Sequence, residues 1–161
     1  MASLVDTNIL VYRCDPRSPE KQRLARELLH RGLVGHDLVL PHQAVLEFVA
    51  IVTRPRSDLD GATLLPWAEA YRQAEELILH FPVLYPDEEV LVTALRGVAL
   101  YRLSWYDAHL WAYAEVHGIA EILSEDFEHG RHYGSVRMVD PFLSAAGSVY
   151  ELPAMYDEPG P

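Results

Sequence analysis

The chain has 161 residues, half of them hydrophobic, with a net charge of −11 and one cysteine. That length suits one domain with a sizeable core. The acidity argues against a generally basic nucleic-acid binder, the lone Cys14 rules out an internal disulfide, and no apolar stretch reaches transmembrane length. The start, Met1-Ala2-Ser3-Leu4-Val5-Asp6, has neither the basic region nor the long apolar region of a secretory leader. A reducing, cytoplasmic setting is therefore expected. The charge is unevenly spread. The first sixty residues hold eight Lys/Arg and eight Asp/Glu, the remainder five against sixteen. A local basic face on an acidic body is one reading; a solvated helix surface is the other.

Residues 2–6 read as a short buried strand, and Asp6-Thr7-Asn8 turns the chain into a short helix near 9–14. Ser18-Pro19-Glu20 is a helix start: a cap, then proline in the first turn, then an acid. That helix is predicted to run to about residue 30, with Gly32 beyond its end. Residues 38–41 read as a second strand. Residues 42–54 read as a helix stopped by Pro55; it is apolar nearly all round and so expected to be buried. Residues 56–61 form a polar loop. Residues 64–79 have helical spacing, with Trp67, Tyr71, Ala74, Leu77 and Ile78 as the inner stripe. Residues 81–84 suggest a short strand. Asp87-Glu88-Glu89 opens a helix to about residue 101, its acids well placed at the N-terminus. Residues 106–117 form another helix, ended by Gly118, with Ala108, Ala112 and Ala114 permitting close neighbours. Residues 119–123 and 136–139 read as strands, with a polar, glycine-containing loop over 125–134 between them. Strands alternating with helices imply an α/β fold: a parallel sheet with helices on both faces. Residues 144–161, rich in Pro and Gly, are expected to be a tail without structure of its own, leaving residues 1–143 as the domain.

Four acids stand in otherwise apolar stretches: Asp6, Glu47, Asp107 and Asp126. A carboxylate in such a setting costs free energy unless something cationic meets it. Each has an ordinary explanation. Asp6 can cap the helix that follows it. Asp107 sits at a helix start favoured by the dipole. Asp126 can be a loop acid beside Glu125 and Glu128. Glu47 is the hardest to explain in this way, because Ala44, Phe48, Ala50 and Ile51 surround it within a turn of helix. In an open parallel sheet, ligands gather beyond the carboxyl ends of the strands. Asp6 and Asp126 both follow predicted strands. Four carboxylates from four distant segments read most simply as one cage for a hard divalent cation.

Leu4-Val5-Asp6-Thr7-Asn8, Leu46-Glu47-Phe48, Ser104-Trp105-Tyr106-Asp107-Ala108 and Ile122-Leu123-Ser124-Glu125-Asp126-Phe127 together resemble the PIN-domain nucleases. The resemblance is closest to the VapC-like toxins of bacterial toxin–antitoxin pairs. Order and spacing match across roughly residues 2–142, and the Val-Asp-Thr-Asn and Tyr-Asp-Ala segments are fairly specific together. The resemblance implies a PIN-like three-layer fold and a metal-dependent endoribonuclease acting as the toxin. By the same resemblance Asp6, Glu47, Asp107 and Asp126 would form the acidic quartet binding Mg²⁺ or Mn²⁺. Thr7 and Asn8 would hold the turn around Asp6, and Ser124 would supply a hydroxyl beside the last acid. It further implies an RNA substrate, a homodimer, and a small antitoxin partner inserting into the active-site groove.

An acidic protein still has to attract a polyanion, and the candidate steering groups are Arg13, Lys21, Arg23, Arg54, Arg56 and Arg131. Competing chemistries are less well supported. No Ser-His-Asp order is evident, and Cys14 lacks a nearby base motif. His129 and His132 lie in a predicted loop without cysteines, which argues against zinc. No glycine-rich phosphate loop follows a strand. An unrelated metal-dependent phosphatase would want a second acid two residues after Asp6, where Asn8 stands. A PIN-like module that has lost catalysis and only binds RNA or a partner is the main alternative; the presence of all four acids disfavours it.

Overall fold

The computed structural model describes residues 2–143; the tail expected at 144–161 lies outside the described residues. The elements run β1 (Ser3–Val5), α1 (Thr7–Tyr12), α2 (Pro19–Gly35), β2 (Leu38–Pro41), α3 (His42–Val52), a single 3₁₀ turn (Ser57–Leu59), α4 (Trp67–His80) and β3 (Val83–Leu84). They continue with α5 (Glu88–Tyr101), α6 (Trp105–Val116), β4 (Glu121–Leu123), β5 (His132–Tyr133) and β6 (Val136–Val139). The strands form one sheet in the order β3-β2-β1-β4-β6-β5. All neighbours are parallel except the β5–β6 pair.

Strand alternation sorts the core into two halves. Successive strand residues point to opposite faces. Val5, Leu123 and Val139 pack with α1–α4 residues such as Ile9, Leu29, Phe48 and Leu77. Leu4, Ile122 and Met138 pack with Val90, Ala94 and Leu110 through Ala114 of α5 and α6. The outcome is the expected three-layer α/β fold, with helices on both faces. No helix among the described residues is long and apolar enough to cross a membrane.

The chain leaves β1 towards β2 and β3 on one side, and later returns to place β4 on the other. The switch point of the sheet therefore lies between β1 and β4. There the two strands end in register, Val5 beside Leu123, and the Asp6 N–H donates to the Leu123 carbonyl at 3.0 Å. A crevice beyond these strand ends follows from that topology.

Four local expectations are corrected. Helix α2 continues past residue 30 to Gly35 and ends on left-handed His36. Gly32 lies inside it, where a Cβ would sit 2.1 Å from Leu38 Cδ1; the glycine serves helix–strand contact rather than termination. Helix α3 is buried on one face only, through Ala44, Val45, Phe48 and Val52, while Leu46 is 58 % exposed. Helix α4 turns Ala70, Ala74 and Leu77 inward, leaving Trp67, Tyr71 and Ile78 exposed. The loop over 125–134 contains β5, joined to β6 by the two-residue turn Gly134-Ser135 with positive φ at Gly134, a hairpin geometry that favours glycine at its first position.

Candidate active site

Asp6, Glu47, Asp107 and Asp126 line one cleft of about 310 Å³ at the β1–β4 switch point. Thr7, Asn8, Tyr12, Asp15, Arg17, Gln43, Arg56 and Glu125 also face it. Each acid is delivered by a different local device. Asp6 is the N-cap of α1, set by extended backbone at the end of β1, and it accepts from the Thr7 N–H at 2.6 Å. Glu47 lies one turn after Gln43 on α3, the helix that begins directly after β2. Asp107 occupies the first turn of α6. There Ser104, the N-cap, accepts from the Asp107 N–H at 3.2 Å, an ordinary side-chain cap, and its hydroxyl donates to Asp107 Oδ2 at 2.7 Å, which orients the carboxylate. Asp126 follows β4 and is exposed.

Ser124 and Asn8 bind the cleft floor together. Ser124 is fully buried; its hydroxyl donates to Asp6 Oδ2 at 2.6 Å and accepts from the Asp126 N–H at 3.1 Å. The Asn8 amide nitrogen lies 3.2 Å from Asp6 Oδ2, 3.2 Å from Ser124 Oγ and 3.1 Å from Asp126 Oδ2. Its own oxygen is buried without a partner among the described residues. Thr7 Oγ1 donates to Glu47 Oε2 at 3.0 Å, tying α1 to α3. Gln43 donates to the other Glu47 oxygen at 2.9 Å and to the Tyr106 carbonyl at 3.2 Å, and its Oε1 lies 2.8 Å from His109 Nδ1.

Asp6 is 9 % exposed. Burial pushes its carboxyl up to about 7; hydrogen bonds from Ser124 and the Thr7 N–H oppose the rise, and the negative charges of Asp126 and Glu47 add to it. Its neighbours carry like charge and no cation among the described residues pairs with it, which leaves an electrostatic deficit at this buried group. Glu125 is different. It takes Tyr12 Oη at 2.5 Å and pairs with Lys21 Nζ, so its charge is already met. Glu128 pairs with Arg131 at 3.1 Å.

Among the described residues, no three His, Cys, Asp or Glu side chains stand close enough to form a ready metal-ligating group. The donor set itself is all oxygen, with Asp6 short of positive charge and Asn8 Oδ1 unpartnered beside it. Those donors fit a hard divalent cation that retains some of its waters.

The expected cations divide. Arg56 lines the cleft and pairs with Asp58 at 3.0 Å. Lys21 reaches the rim through Glu125 and sits 4.5 Å over the Tyr12 ring. Arg54 is exposed on the adjoining surface with Arg56. Arg131 stacks 4.8 Å over Tyr133. Arg13 is drawn away from the cleft: it lies 5.4 Å over Phe48 and bonds to Gln73 at 3.0 Å, packing α1 against α4. Arg23 bridges Glu20 and Glu27 along α2. Tyr12, Asp15, Arg17, Gln43 and Ser104 were not among the expected site residues. Ser104 carried a local signal in its three-residue spacing to Asp107, and Asp15 in its two-residue spacing to Arg17; Tyr12 meets Glu125, and Gln43 meets Tyr106 and His109, far away in sequence.

A sequence model of the PIN domain matches residues 3–134. Two solved structures are similar. One is a toxin–antitoxin complex from Klebsiella pneumoniae, 18 % identical, covering 87 % of this chain and 98 % of that one with a TM-score of 0.57. The other is VapC20 of Mycobacterium tuberculosis, described as a sarcin–ricin loop cleaving toxin. It is 17 % identical and covers 94 % of this chain and 100 % of that one with a TM-score of 0.51. At such identities the likeness is one of fold. A search of curated proteins found no match.

Proposed function

The chain belongs to the PIN-domain family, and on that premise we propose that it is a metal-dependent endoribonuclease, the toxin of a type II toxin–antitoxin pair. The observation that carries this reading is the convergence of Asp6, Glu47, Asp107 and Asp126 on one cleft at the switch point of the sheet. These four would hold Mg²⁺ or Mn²⁺. When bound there, such an ion lowers the pKa of a coordinated water and neutralises charge developing on phosphoryl oxygens.

The chain's own residues supply the rest. Ser124, Asn8 and the Thr7 N–H fix Asp6 in one orientation, so little is lost to reorganisation. Thr7 and Gln43 hold both Glu47 oxygens, aiming the carboxylate without neutralising it. Ser104 does the same for Asp107. Arg56, Arg54 and Lys21 stand at the rim, where a polyanion meets positive charge before reaching the acids. The similarity to a toxin–antitoxin complex and to a toxin described as cleaving the sarcin–ricin loop supports a toxin whose substrate is RNA and whose partner is an antitoxin. Exposed Leu46, Trp105 and Tyr106 beside the cleft, and Leu91, Leu95 and Val98 along α5, offer apolar surface for that partner and for a second copy of the chain.

RNA cleavage measured with Mg²⁺ or Mn²⁺, with EDTA, and with Asp6→Asn and Asp107→Asn tests the reading. Chelation or either substitution is expected to lower the rate by about a hundredfold or more. Activity that survives all three refutes it. An inactive binding module would retain RNA binding while leaving the RNA whole. Arrested growth on expression of the wild type, relieved by Asp6→Asn, is the expected sign of a toxin; equal growth with soluble protein removes that part alone.

A further inference from the structure

Two guanidinium groups line the cleft, Arg17 and Arg56, and both are turned onto one carboxylate. Asp15, only 4 % exposed, gives both its oxygens to Arg17, at 2.7 Å to Nε and 2.5 Å to Nη2, and also accepts the Arg17 N–H at 3.0 Å. Such a paired, desolvated carboxylate holds the guanidinium plane in one direction. The remaining edge of Arg17, at Nη1, contacts Asp58. Arg56 meets the same carboxylate through Nε at 3.0 Å and Nη2 at 3.2 Å. Asp58 therefore lies in a fork of two arginines, the arrangement that recognises a phosphate through parallel N–H···O bonds.

The two acids differ in how firmly they are placed. Asp15 is buried beneath Arg17. The Asp58 side chain is 51 % exposed. It rides on a 3₁₀ turn with no buried residue, closed by its own backbone bonds from the Gly61 N–H to the Arg56 carbonyl at 2.8 Å and from the Arg56 N–H to the Ala62 carbonyl at 3.0 Å. It lines the surface outside the cleft rather than the cleft itself. Exposed pairs of this kind yield readily to a competing anion. A phosphodiester in place of Asp58 leaves the local charge balanced and the Asp15–Arg17 pair undisturbed.

We infer that Arg17 and Arg56 form a phosphate-binding subsite for the RNA backbone, and that Asp58 occupies it in the free protein as an internal stand-in for the phosphate. The inference rests on the RNA-cleaving reading above and adds which side chains grip the strand and what they release to do so.

The test is binding of a fluorescein-labelled oligouridylate, in EDTA so that no cleavage occurs, to wild type, Asp58→Asn, Arg56→Gln and the double variant across a salt series. Arg56→Gln is preferred to an Arg17 change because it leaves Asp15 paired. Asp58→Asn is expected to bind about three- to tenfold more tightly. Arg56→Gln is expected to bind more weakly, with the slope of log K against log salt reduced by about 0.7, the value of one lost phosphate contact on a single strand. In the double variant the gain from Asp58→Asn should shrink. Affinity of folded Asp58→Asn equal to or below that of wild type overturns the inference, as does an unaltered salt slope in Arg56→Gln. If wild type still cuts RNA in that event, the nuclease reading stands alone. A wild type that neither binds nor cuts RNA overturns both.

Discussion

Asp6 carries the largest electrostatic burden of any side chain in the cleft, and its environment sets a pH dependence. Its carboxyl rises from 3.8 to about 7 on burial, so the folded chain holds that proton more tightly than the unfolded chain does. The stabilisation is complete below about pH 4 and is lost as pH climbs through 7, on the order of 2–4 kcal/mol across the window. Metal-free protein is therefore expected to melt at lower temperature at pH 8 than at pH 5, and Asp6→Asn to flatten that slope. Equal slopes for the two proteins in EDTA would show that Asp6 is not the group responsible. At this scale the sequence discloses those residues whose neighbours are near in the chain. Asp6 and Asp126 stand at strand exits, and Asp107 stands three residues after its cap. Gln43 and Tyr12 were silent as site-builders, because Gln43 reaches Tyr106 across 63 positions and Tyr12 reaches Glu125 across 113. Arg13 was misleading, since a cation beside an aromatic ring and a glutamine is packing, whatever its charge promises.

Elements were legible as elements, and less so as faces. Apolar periodicity marks a helix but does not say which stripe meets the core when two stripes compete. In α4 the aromatic stripe through Trp67 and Tyr71 lost to the small one through Ala70 and Ala74, which lets α3 approach. In α3 the all-round apolar character reflects a buried face and an exposed one that continues to Trp105 and Tyr106. Strand β5 was missed because two residues carry no period; only the Gly134-Ser135 pair hinted at a hairpin. Close approach between α5 and α6 gives a sharper test. A Cβ on Gly97 would lie 2.7 Å from Trp111 Cε3, and Trp111 is pinned by its indole N–H to the Tyr133 carbonyl at 2.9 Å. Gly97→Ala should therefore destabilise by about 1–3 kcal/mol in urea unfolding, despite a helix-propensity gain of up to about 1 kcal/mol. Unchanged or increased stability would mean that the α5–α6 contact is looser than described.

The whole molecule joins an acidic body to a neutral amino-terminal third, and the cleft lies where those parts meet at the sheet's switch point. The parallel order of strands is what turns four carboxylates, scattered from residue 6 to residue 126, into neighbours of one space. The fold class followed from alternation of strands and helices; the cleft's arginine fork did not, because it depends on how two loops lie against each other. The central claim is that these carboxylates bind a hard divalent cation, and thermal melting with added Mn²⁺ tests it most directly. With metal at about a hundredfold excess over its Kd, the wild-type Tm should rise by roughly 5–10 °C, and the rise should be largely lost in both Asp6→Asn and Asp107→Asn. A wild-type Tm indifferent to Mn²⁺ and Mg²⁺, or a full rise retained in both variants, would contradict the account.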